Sequence, residues 1–269
     1  MDKFKKLDKL PHSGVSKSIG LVDADIIAYR CAAAGEEDDL SDVLMSTENF
    51  IKDMYRRINL GKYIFFLTGS NNFRHDVAVT KPYKGNRKDV AKPKHLYDVR
   101  DFLVEHFNSM VIDGFEADDA LASARYRYGE QSVILTIDKD LYQIPGYHYN
   151  FVKDERYLVS AVEACYNLWK QVVTGDSTDN IPGLAGVGEA KFDKAWDSQR
   201  SVVSAAEIAW NFYQDREATR ELFNEQIDLI RMRTDLQHLP YEDHFTFDNY
   251  KHISEDDGFD NNPIEGFDV

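Results

Sequence analysis

The sequence has little cysteine, no long apolar run and no excess of positive charge. Only Cys31 and Cys165 are cysteines among 269 residues. Two cysteines so far apart exclude a disulfide framework and suit a reducing cytoplasm. The N-terminus has no apolar segment typical of a secretory signal. No run approaches the roughly 20 apolar residues that span a bilayer. We therefore expect a cytoplasmic protein that has no membrane partner.

The net charge of −15 disfavours a polyanionic partner until its distribution is considered. Residues 241–269 hold nine acidic side chains and one lysine, whereas residues 81–100 carry an excess of five positive charges. We interpret 241–269 as a disordered, solubilising acidic tail. The alternative is a tail that mimics nucleic acid or docks on a partner. The basic stretch is compatible with a polyanionic substrate.

Apolar runs alternate with helical patterns along the first 160 residues. Strands are predicted at 18–25, 62–69, 109–112 and 132–137, and helices at 26–34, 40–59, 96–107 and 116–129. This alternation indicates an α/β fold, a parallel sheet with helices on both faces. A helix at 161–175, a glycine-rich hairpin and further helices follow. The predicted domains are a core at 1–160, a helical lobe at 161–240 and the tail at 241–269.

Eight acidic residues occur in four short groups, three of them where strands are predicted to end or helices to begin. They are Asp23; Glu116, Asp118 and Asp119; Asp138 and Asp140; and Asp176 and Asp179. In parallel sheets, sites form beyond the carboxyl ends of the strands. Eight carboxylates in one cleft would repel strongly unless cations lay among them. Oxygen ligands select Mg²⁺ or Mn²⁺, and a pair of such ions is the usual apparatus for cutting phosphodiesters.

The glycine-rich run GDSTDNIPGLAGVGEAK (175–191) predicts a hairpin suited to a phosphate backbone. Gly183, Gly186 and Gly188 permit tight turns, and amides at the next helix start, with Lys191, can grip a phosphate. Such contacts are independent of sequence. The alternative is a plain helical hairpin. A P-loop is excluded because Glu189 stands where lysine is needed.

Four motifs together resemble the 5′-nuclease family of flap endonucleases, phage 5′→3′ exonucleases and the nuclease domains of family A DNA polymerases. They are FRHDVAVTKPYKGNRK, GFEADDALA, TIDKDLYQ and the glycine-rich run, in the family's order over roughly residues 18–200. The phage branch is the most similar. The resemblance implies a PIN-like parallel-sheet core flanked by helices, a helix-three-turn-helix DNA-binding hairpin in the helical lobe, and a basic helical arch near 74–95.

The same resemblance implies roles for the acidic and basic residues. A first Mg²⁺ or Mn²⁺ would lie among Asp23, Glu116, Asp118 and Asp119, and a second among Asp138, Asp140, Asp176 and Asp179. A K⁺ ion in the hairpin is also implied. The implied DNA-binding residues are Arg74, Tyr83, Lys84, Arg87, Gly183, Gly186, Gly188 and Lys191. Of these, Lys84 and Arg87 join Asp23 as catalytic groups, and Tyr83 would stack on an unpaired base.

Two features leave alternatives open. The basic stretch, taken alone, also suits a solvated lysine-rich loop. Thr68 stands where the family usually has an aspartate, which predicts weaker binding of the first metal.

The function implied is a structure-specific 5′ nuclease, a 5′→3′ exonuclease or flap endonuclease. It would act near DNA 5′ ends, flaps or RNA primers in phage DNA replication, in the host cytoplasm if phage-encoded. A single-strand-binding protein or a polymerase is the expected partner. The alternatives are a non-catalytic, structure-specific DNA-binding protein, a PIN-type ribonuclease and an HAD-like phosphatase. The phosphatase would use the DAD sequence of Asp23 and Asp25.

Overall fold

A computed structural model of the chain describes residues 4–246, apart from residues 12, 16, 89 and 198–200. The predicted acidic tail lies outside the described residues from 247 onward. The described strands are β1 (Lys5–Leu7), β2 (Ile19–Asp23), β3 (Lys62–Thr68), β4 (Met110–Ile112), β5 (Ser132–Leu135), β6 (Gly146–Asn150) and β7 (Glu155–Val159). The described helices are α1 (Ala24–Ala34), α2 (Leu40–Ile58), α3 (Arg74–Val77), α4 (Leu96–Phe107), α5 (Ala117–Tyr128), α6 (Ala161–Thr174), α7 (Glu189–Trp196), α8 (Val202–Gln214) and α9 (Arg220–Ile230).

The described strands form one mixed sheet in the order β1-β7-β6-β5-β2-β3-β4. Strands β5, β2, β3 and β4 run parallel, as predicted for the core, and β6, which was not predicted, extends the parallel part beside β5. The prediction of a wholly parallel sheet is corrected at one edge, where β7 and β1 are antiparallel. These two strands were missed because KKL is short and charged and ERYLV is only partly buried, so neither shows a clear apolar run.

Helices cover both faces of the sheet because alternate residues of each buried strand point to opposite sides. Val22 and Phe65 pack with α1, α2 and α4 in one apolar cluster. Leu21 and Phe66, their chain neighbours, pack with α5 in the other. Strand β2 is buried along its whole length, as expected for the centre of such a sheet.

The helices after residue 160 build a separate apolar cluster around Phe192, Tyr213 and Phe223. The chain leaves this lobe after Ile230 and returns to the sheet, where Met232 and Tyr241 join the cluster beside α5. None of the helices in the described part of the chain is long and apolar enough to cross a membrane.

The start of the predicted acidic tail is corrected, because residues 241–246 are part of the folded core. The ring of Tyr241 is fully buried, with its centroid 6.0 Å from that of Phe66. The backbone N–H of Thr246 donates to the carbonyl of Tyr63 at 3.0 Å. Burial of aromatic side chains therefore keeps these six residues folded despite the acidic residues among them. The prediction of a disordered tail stands for 247–269, which lie outside the described residues.

Buried His148 predicts a measurable loss of stability in acid. Burial lowers the pKa of His148 to about 4, against 6.5 for a free imidazole, and its Nε2 lies 2.8 Å from the carbonyl of Ile144. The unfolded chain takes up the proton first, so this contribution is present above pH 6.5 and is lost as the pH falls from 6.5 to about 4. The expected loss is about 3 kcal/mol.

The measurement is urea unfolding of the wild type and of His148→Gln at several pH values between 7 and 4. The difference in unfolding free energy between the two should narrow steadily as the pH falls. A difference that stays constant across this range would show that His148 has the same pKa in the folded and unfolded states.

Candidate metal centre

The carboxyl end of the parallel sheet positions the first three acidic side chains of the site. Asp23 ends β2 and caps α1, with Oδ1 accepting the N–H of Ile26 at 3.2 Å and Oδ2 accepting the hydroxyl of Thr136 at 2.7 Å. Glu116 is the N-cap of α5, and Asp118 lies in the first turn of that helix. Acidic side chains are favourable there because the helix N-terminus carries partial positive charge.

The loop after β5 and the turn after α6 bring four more carboxylates to the same edge. Asp138 Oδ1 accepts the N–H of Asp140 at 2.8 Å, so the two are held close together. Asp140 also accepts from the side-chain amide of Gln171, on α6, at 2.9 Å. Asp176 and Asp179 lie in a turn in which Asp176 Oδ1 accepts the N–H of Thr178 at 2.8 Å. Sequence reasoning missed Thr136 and Gln171, whose roles depend on tertiary contact.

Five of the carboxylates line one narrow hollow, namely Glu116, Asp118, Asp140, Asp176 and Asp179. Burial raises the pKa of Asp23 to about 7, and repulsion from Asp25 and Asp138 adds to the rise. Burial, with Asp138 and Asp176, raises the pKa of Asp140 to about 7. Such shifts arise when like charges share a site with little water.

Asp118 and Asp138 link the acidic groups of the sheet edge. Burial is the main cause that raises the pKa of Asp118, and the negative charges of Asp23, Asp138 and Glu116 raise it further. Burial and the carboxylates of Asp179 and Asp176 raise the pKa of Asp138. The hydrogen bond from the N–H of Asp140 lowers it, but by less. Seven of the eight predicted acids therefore converge, and Asp119 is the exception.

The cluster is covered by what we term the basic loop (residues 78–88). The amine of Lys84 lies 2.5 Å from Oε1 of Glu116 and 3.6 Å from Oδ2 of Asp179. Arg87 Nη2 lies 2.5 Å from Oδ1 of Asp179. Burial lowers the pKa of Lys84, but the carboxylates of Glu116 and Asp179 outweigh that effect and raise it. Both predicted catalytic cations therefore point into the acidic cluster.

The predicted helical arch near 74–95 is replaced, in the described residues, by short turns. Helix α3 has four residues, and Gly85–Arg87 form a single 3₁₀ turn. Pro82, Pro93 and the left-handed backbone of Lys84 (φ 52°) prevent a continuous helix. The basic loop is instead tied to the helical lobe, where the N–H groups of Val79 and Thr80 donate to Glu225 at 2.7 and 2.6 Å.

Tyr83 does not have the exposure that base stacking requires. Its side chain is buried, and its hydroxyl lies 2.9 Å from Oε2 of Glu116 and 2.8 Å from Oδ2 of Asp179. A phenol has one hydrogen and donates to one of these oxygens at a time. We therefore correct its predicted role from base stacking to bridging two carboxylates of the cluster.

Arg74 and Asp119 form a buried structural pair, which corrects both of their predicted roles. The two guanidinium nitrogens lie 2.6 and 2.9 Å from the two oxygens of Asp119, and Nε donates to the carbonyl of Leu229 at 2.9 Å. Asp119 also accepts the N–H groups of Glu116 and Arg233. Arg74 is only 2% exposed, so its donors serve the fold and do not reach DNA.

Thr68 holds the start of α5 against the end of β3. Its hydroxyl accepts the N–H of Ala117 at 2.9 Å, and its own N–H donates to Asp25 at 2.9 Å. Arg100 donates to the carboxylate of Asp25 and to the carbonyl of Thr68. Asp25 is thereby occupied by structural contacts, and Arg100 is a supporting residue that the sequence pattern did not reveal.

The glycine hairpin begins with a close approach of two backbone segments. Gly183 has φ +61°, and a Cβ there would lie 2.3 Å from the nitrogen of Gly175, so only glycine fits. Its N–H donates to Gln226 at 3.0 Å and is not offered to a phosphate. Gly188 caps α7, and the amine of exposed Lys191 donates to the carbonyl of Gly186 at 2.6 Å.

The donor set suits hard divalent cations. All seven converging groups offer oxygen. Burial and mutual repulsion raise the pKa values of Asp23, Asp118, Asp138 and Asp140, and Mg²⁺ or Mn²⁺ would relieve that repulsion. Among the described residues, no group of three or more acidic, histidine or cysteine side chains is already arranged to hold an ion. Tyr83, Lys84 and Arg87 instead contact the oxygens of Glu116 and Asp179.

Comparisons with known proteins agree on one family. The family model described as the 5′-3′ exonuclease, N-terminal resolvase-like domain matches residues 18–169. DNA polymerase I of Thermus thermophilus is 26% identical over 245 residues, which cover 80% of this chain and 29% of the polymerase. The exonuclease of Escherichia phage T7 is 26% identical over 71% of this chain and 70% of the relative. The chain thus spans less than a third of the polymerase.

A solved structure shares the fold. The bacteriophage T5 flap endonuclease, in a complex with DNA and metal ions, superimposes with a TM-score of 0.62. The two chains are 17% identical, and the match covers 88% of this chain and 98% of that one. At this identity the likeness establishes the fold alone.

Replacing Arg74 should test whether it supports the fold. Arg74→Met leaves the buried carboxylate of Asp119 unpaired and should cost about 3–5 kcal/mol of unfolding free energy. The double variant Arg74→Met, Asp119→Asn removes the stranded charge and should recover part of that loss. Urea unfolding measures both. Wild-type stability of the single variant together with weaker DNA binding would contradict the structural role and restore the DNA-binding one.

Proposed function

Because the chain belongs to the 5′-3′ exonuclease family, we propose that it is a divalent-metal-dependent 5′ nuclease that hydrolyses phosphodiesters near DNA 5′ ends. The membership confirms the family and the PIN-like α/β core predicted from the sequence motifs. One observation carries the proposal. Seven carboxylates from separate segments converge at the carboxyl edge of the sheet, with the cations of the basic loop directed among them.

The acidic cluster would hold two ions, Mg²⁺ or Mn²⁺, in two groups. Asp23, Glu116 and Asp118 form the first, and the second is formed by Asp138, Asp140, Asp176 and Asp179. Asp119 supports the first group indirectly, because its carboxylate accepts hydrogen bonds from Arg74 and from the N–H of Glu116. When bound, such ions lower the pKa of water for in-line attack and stabilise the leaving 3′-oxygen. Supporting contacts from Thr136 and Gln171 orient Asp23 and Asp140.

Lys84 and Arg87 would hold the scissile phosphate. Their charged groups now contact Glu116 and Asp179, so a divalent cation among these carboxylates competes for the same oxygens. Released from these pairs, the two cations remain beside the cluster because the backbone N–H of Lys84 donates to the carbonyl of Asp179 at 2.9 Å. They can then stabilise the negative charge that develops on the phosphoryl oxygens.

The hairpin would bind the duplex through its backbone without regard to sequence. Gly186, Gly188 and the start of α7, with Lys191, form the exposed face for this contact. A K⁺ ion at the hairpin stays part of the proposal, as do flaps and RNA primers as substrates. The proposal also includes a role in replication beside a polymerase or single-strand-binding protein.

The other functional classes are less well supported. A DNA-binding protein without catalysis has no use for seven converging carboxylates, which repel a polyanion unless metals bind. The phosphatase alternative needs an acid two residues after Asp23. Asp25 is instead paired with Arg100 and with the N–H of Thr68.

Asp138 gives the sharpest test of the metal role. Asp138→Asn keeps the size and the acceptor for the N–H of Asp140 but removes one charge between the two acidic groups. We expect cleavage of a 5′-labelled flap substrate to fall by at least about 100-fold, while duplex affinity changes little. Exposed Asp101, on α4, supplies the matched control Asp101→Asn, which should cleave normally. Near-normal cleavage by Asp138→Asn at saturating Mg²⁺ would contradict the role.

Lys84 tests phosphate positioning. Lys84→Met removes the amine and keeps the side-chain length, so kcat should fall by about 100-fold with a smaller change in Kd for DNA. Exposed Lys81, in the same loop, provides the control Lys81→Met, which should change affinity slightly and leave kcat intact. If Lys84→Met altered only affinity, the amine would serve binding alone.

A further inference from the structure

An open cavity of about 450 Å³ lies between the end of α5 and the start of α6, away from the acidic cluster. Arg125, Tyr126, Pro145, Gly146, Leu158 and Ala161 are among its lining residues. Strand β6 begins at this cavity, so the cavity lies at the amino edge of the parallel strands. Helix α6 has 14 residues and runs from the cavity toward Asp176, a length of about 21 Å. The cavity is therefore a separate site.

Arg125 presents a buried guanidinium at the cavity. The residue is 7% exposed, and its Nε is buried with no hydrogen-bond partner among the described residues. Its Nη2 lies 3.3 Å from Oε1 of Glu130, whose side chain is 79% exposed. The backbone of Gly146 closes off the buried Nε, so the group left to receive an anionic oxygen is Nη2, whose carboxylate partner is exposed and can be replaced.

Gly146 lets the guanidinium take this place. It has φ +137°, and a Cβ built there would lie 2.1 Å from Nε of Arg125. Any other residue would push Arg125 out of its position. The location of the charge is thus set by close contact with the backbone, which distinguishes it from a solvated surface arginine.

The first turn of α6 adds a second donor to the cavity. Ser160 and Glu163 form a capping box: the hydroxyl of Ser160 accepts the N–H of Glu163 at 3.2 Å, and Glu163 accepts the N–H of Ser160 at 2.7 Å. The N–H of Ala161 at the first helical position has no partner among the described residues. This N–H lies at the positive end of the helix dipole, where anions are favoured.

We propose that this cavity binds a phosphate monoester carried on an aromatic or apolar body, of the class of a nucleoside 5′-monophosphate. The phosphate would receive hydrogen bonds from Arg125 and from the N–H of Ala161. Tyr126, which is 54% exposed, and Leu158 offer apolar surface to the rest of the ligand. Exposed Glu130 turns to solvent as the phosphate replaces it. The exposed carboxylate of Glu130 at the rim disfavours a long polyanion such as DNA.

Binding is tested on the full chain in the presence of a chelator, so that no divalent metal recruits the ligand to the acidic cluster. Calorimetry with a nucleoside 5′-monophosphate, inorganic phosphate and the nucleoside alone compares the parts of the ligand. Proton–nitrogen NMR follows the guanidinium N–H groups of Arg125 and the backbone N–H of Ala161. Saturable nucleotide binding that shifts both signals, tighter than that of phosphate or nucleoside, is expected.

Variants at Ala161 separate binding from folding. Ala161→Pro removes only the N–H, and proline is well tolerated at the first helical position. Ser160, with φ −75° and ψ 162°, already has the backbone that precedes a proline. Affinity for the nucleotide should fall by about tenfold in Ala161→Pro and stay unchanged in the control Ala161→Ser. Arg125→Met should weaken binding further, and Glu130→Gln should strengthen it.

Three results would overturn the proposal. The first is no saturable binding by the wild type, and the second is equal affinity of Ala161→Pro and Ala161→Ser. The third is a nucleoside that binds as tightly as its monophosphate, because the anion would then contribute nothing. These measurements use no nuclease activity, so they fail or succeed independently of the function proposed above.

Discussion

Mutual repulsion among seven carboxylates at one edge of the sheet is the constraint on which the site depends. Parallel strands and the helices that follow them bring Asp23, Glu116 and Asp118 together, and α6 adds the turn that holds Asp176 and Asp179. Burial and neighbouring charge raise the pKa of Asp23 to about 7, so the fold holds these groups at a cost that cations would relieve. The surrounding contacts act either to support the acidic side chains or to neutralise them.

Asp179 connects the helical lobe, the acidic cluster and the basic loop. Its carboxylate contacts Tyr83, Lys84 and Arg87, and its carbonyl accepts the N–H of Lys84. Metal binding at this residue would therefore free the loop cations and place them beside the substrate phosphate. The same contacts couple the hairpin, which would hold the duplex, to the groups that would cleave the strand. This coupling gives a physical reason for a lobe and a sheet to share one site.

Local periodicity and charge predicted the parallel core and the acidic clusters at the strand ends, and the resemblance to the nuclease family implied the roles of the two loop cations. Prediction from the sequence failed where neighbours in the chain face different ways. Asp118 and Asp119 are adjacent on α5 and point about 100° apart, so one meets the cluster and the other meets Arg74. Burial of Tyr83 and Arg74, and the support from Gln171 and Arg100, depend on tertiary packing that no local pattern encodes.

The most direct test of the account is anomalous diffraction from crystals soaked in Mn²⁺. Two Mn²⁺ peaks are expected, one near Asp23 and Asp118 and one near Asp138 and Asp176, with the Lys84 amine withdrawn from Glu116. Crystals that show no anomalous peak among these carboxylates at saturating Mn²⁺, with Lys84 still bound to Glu116, would contradict it.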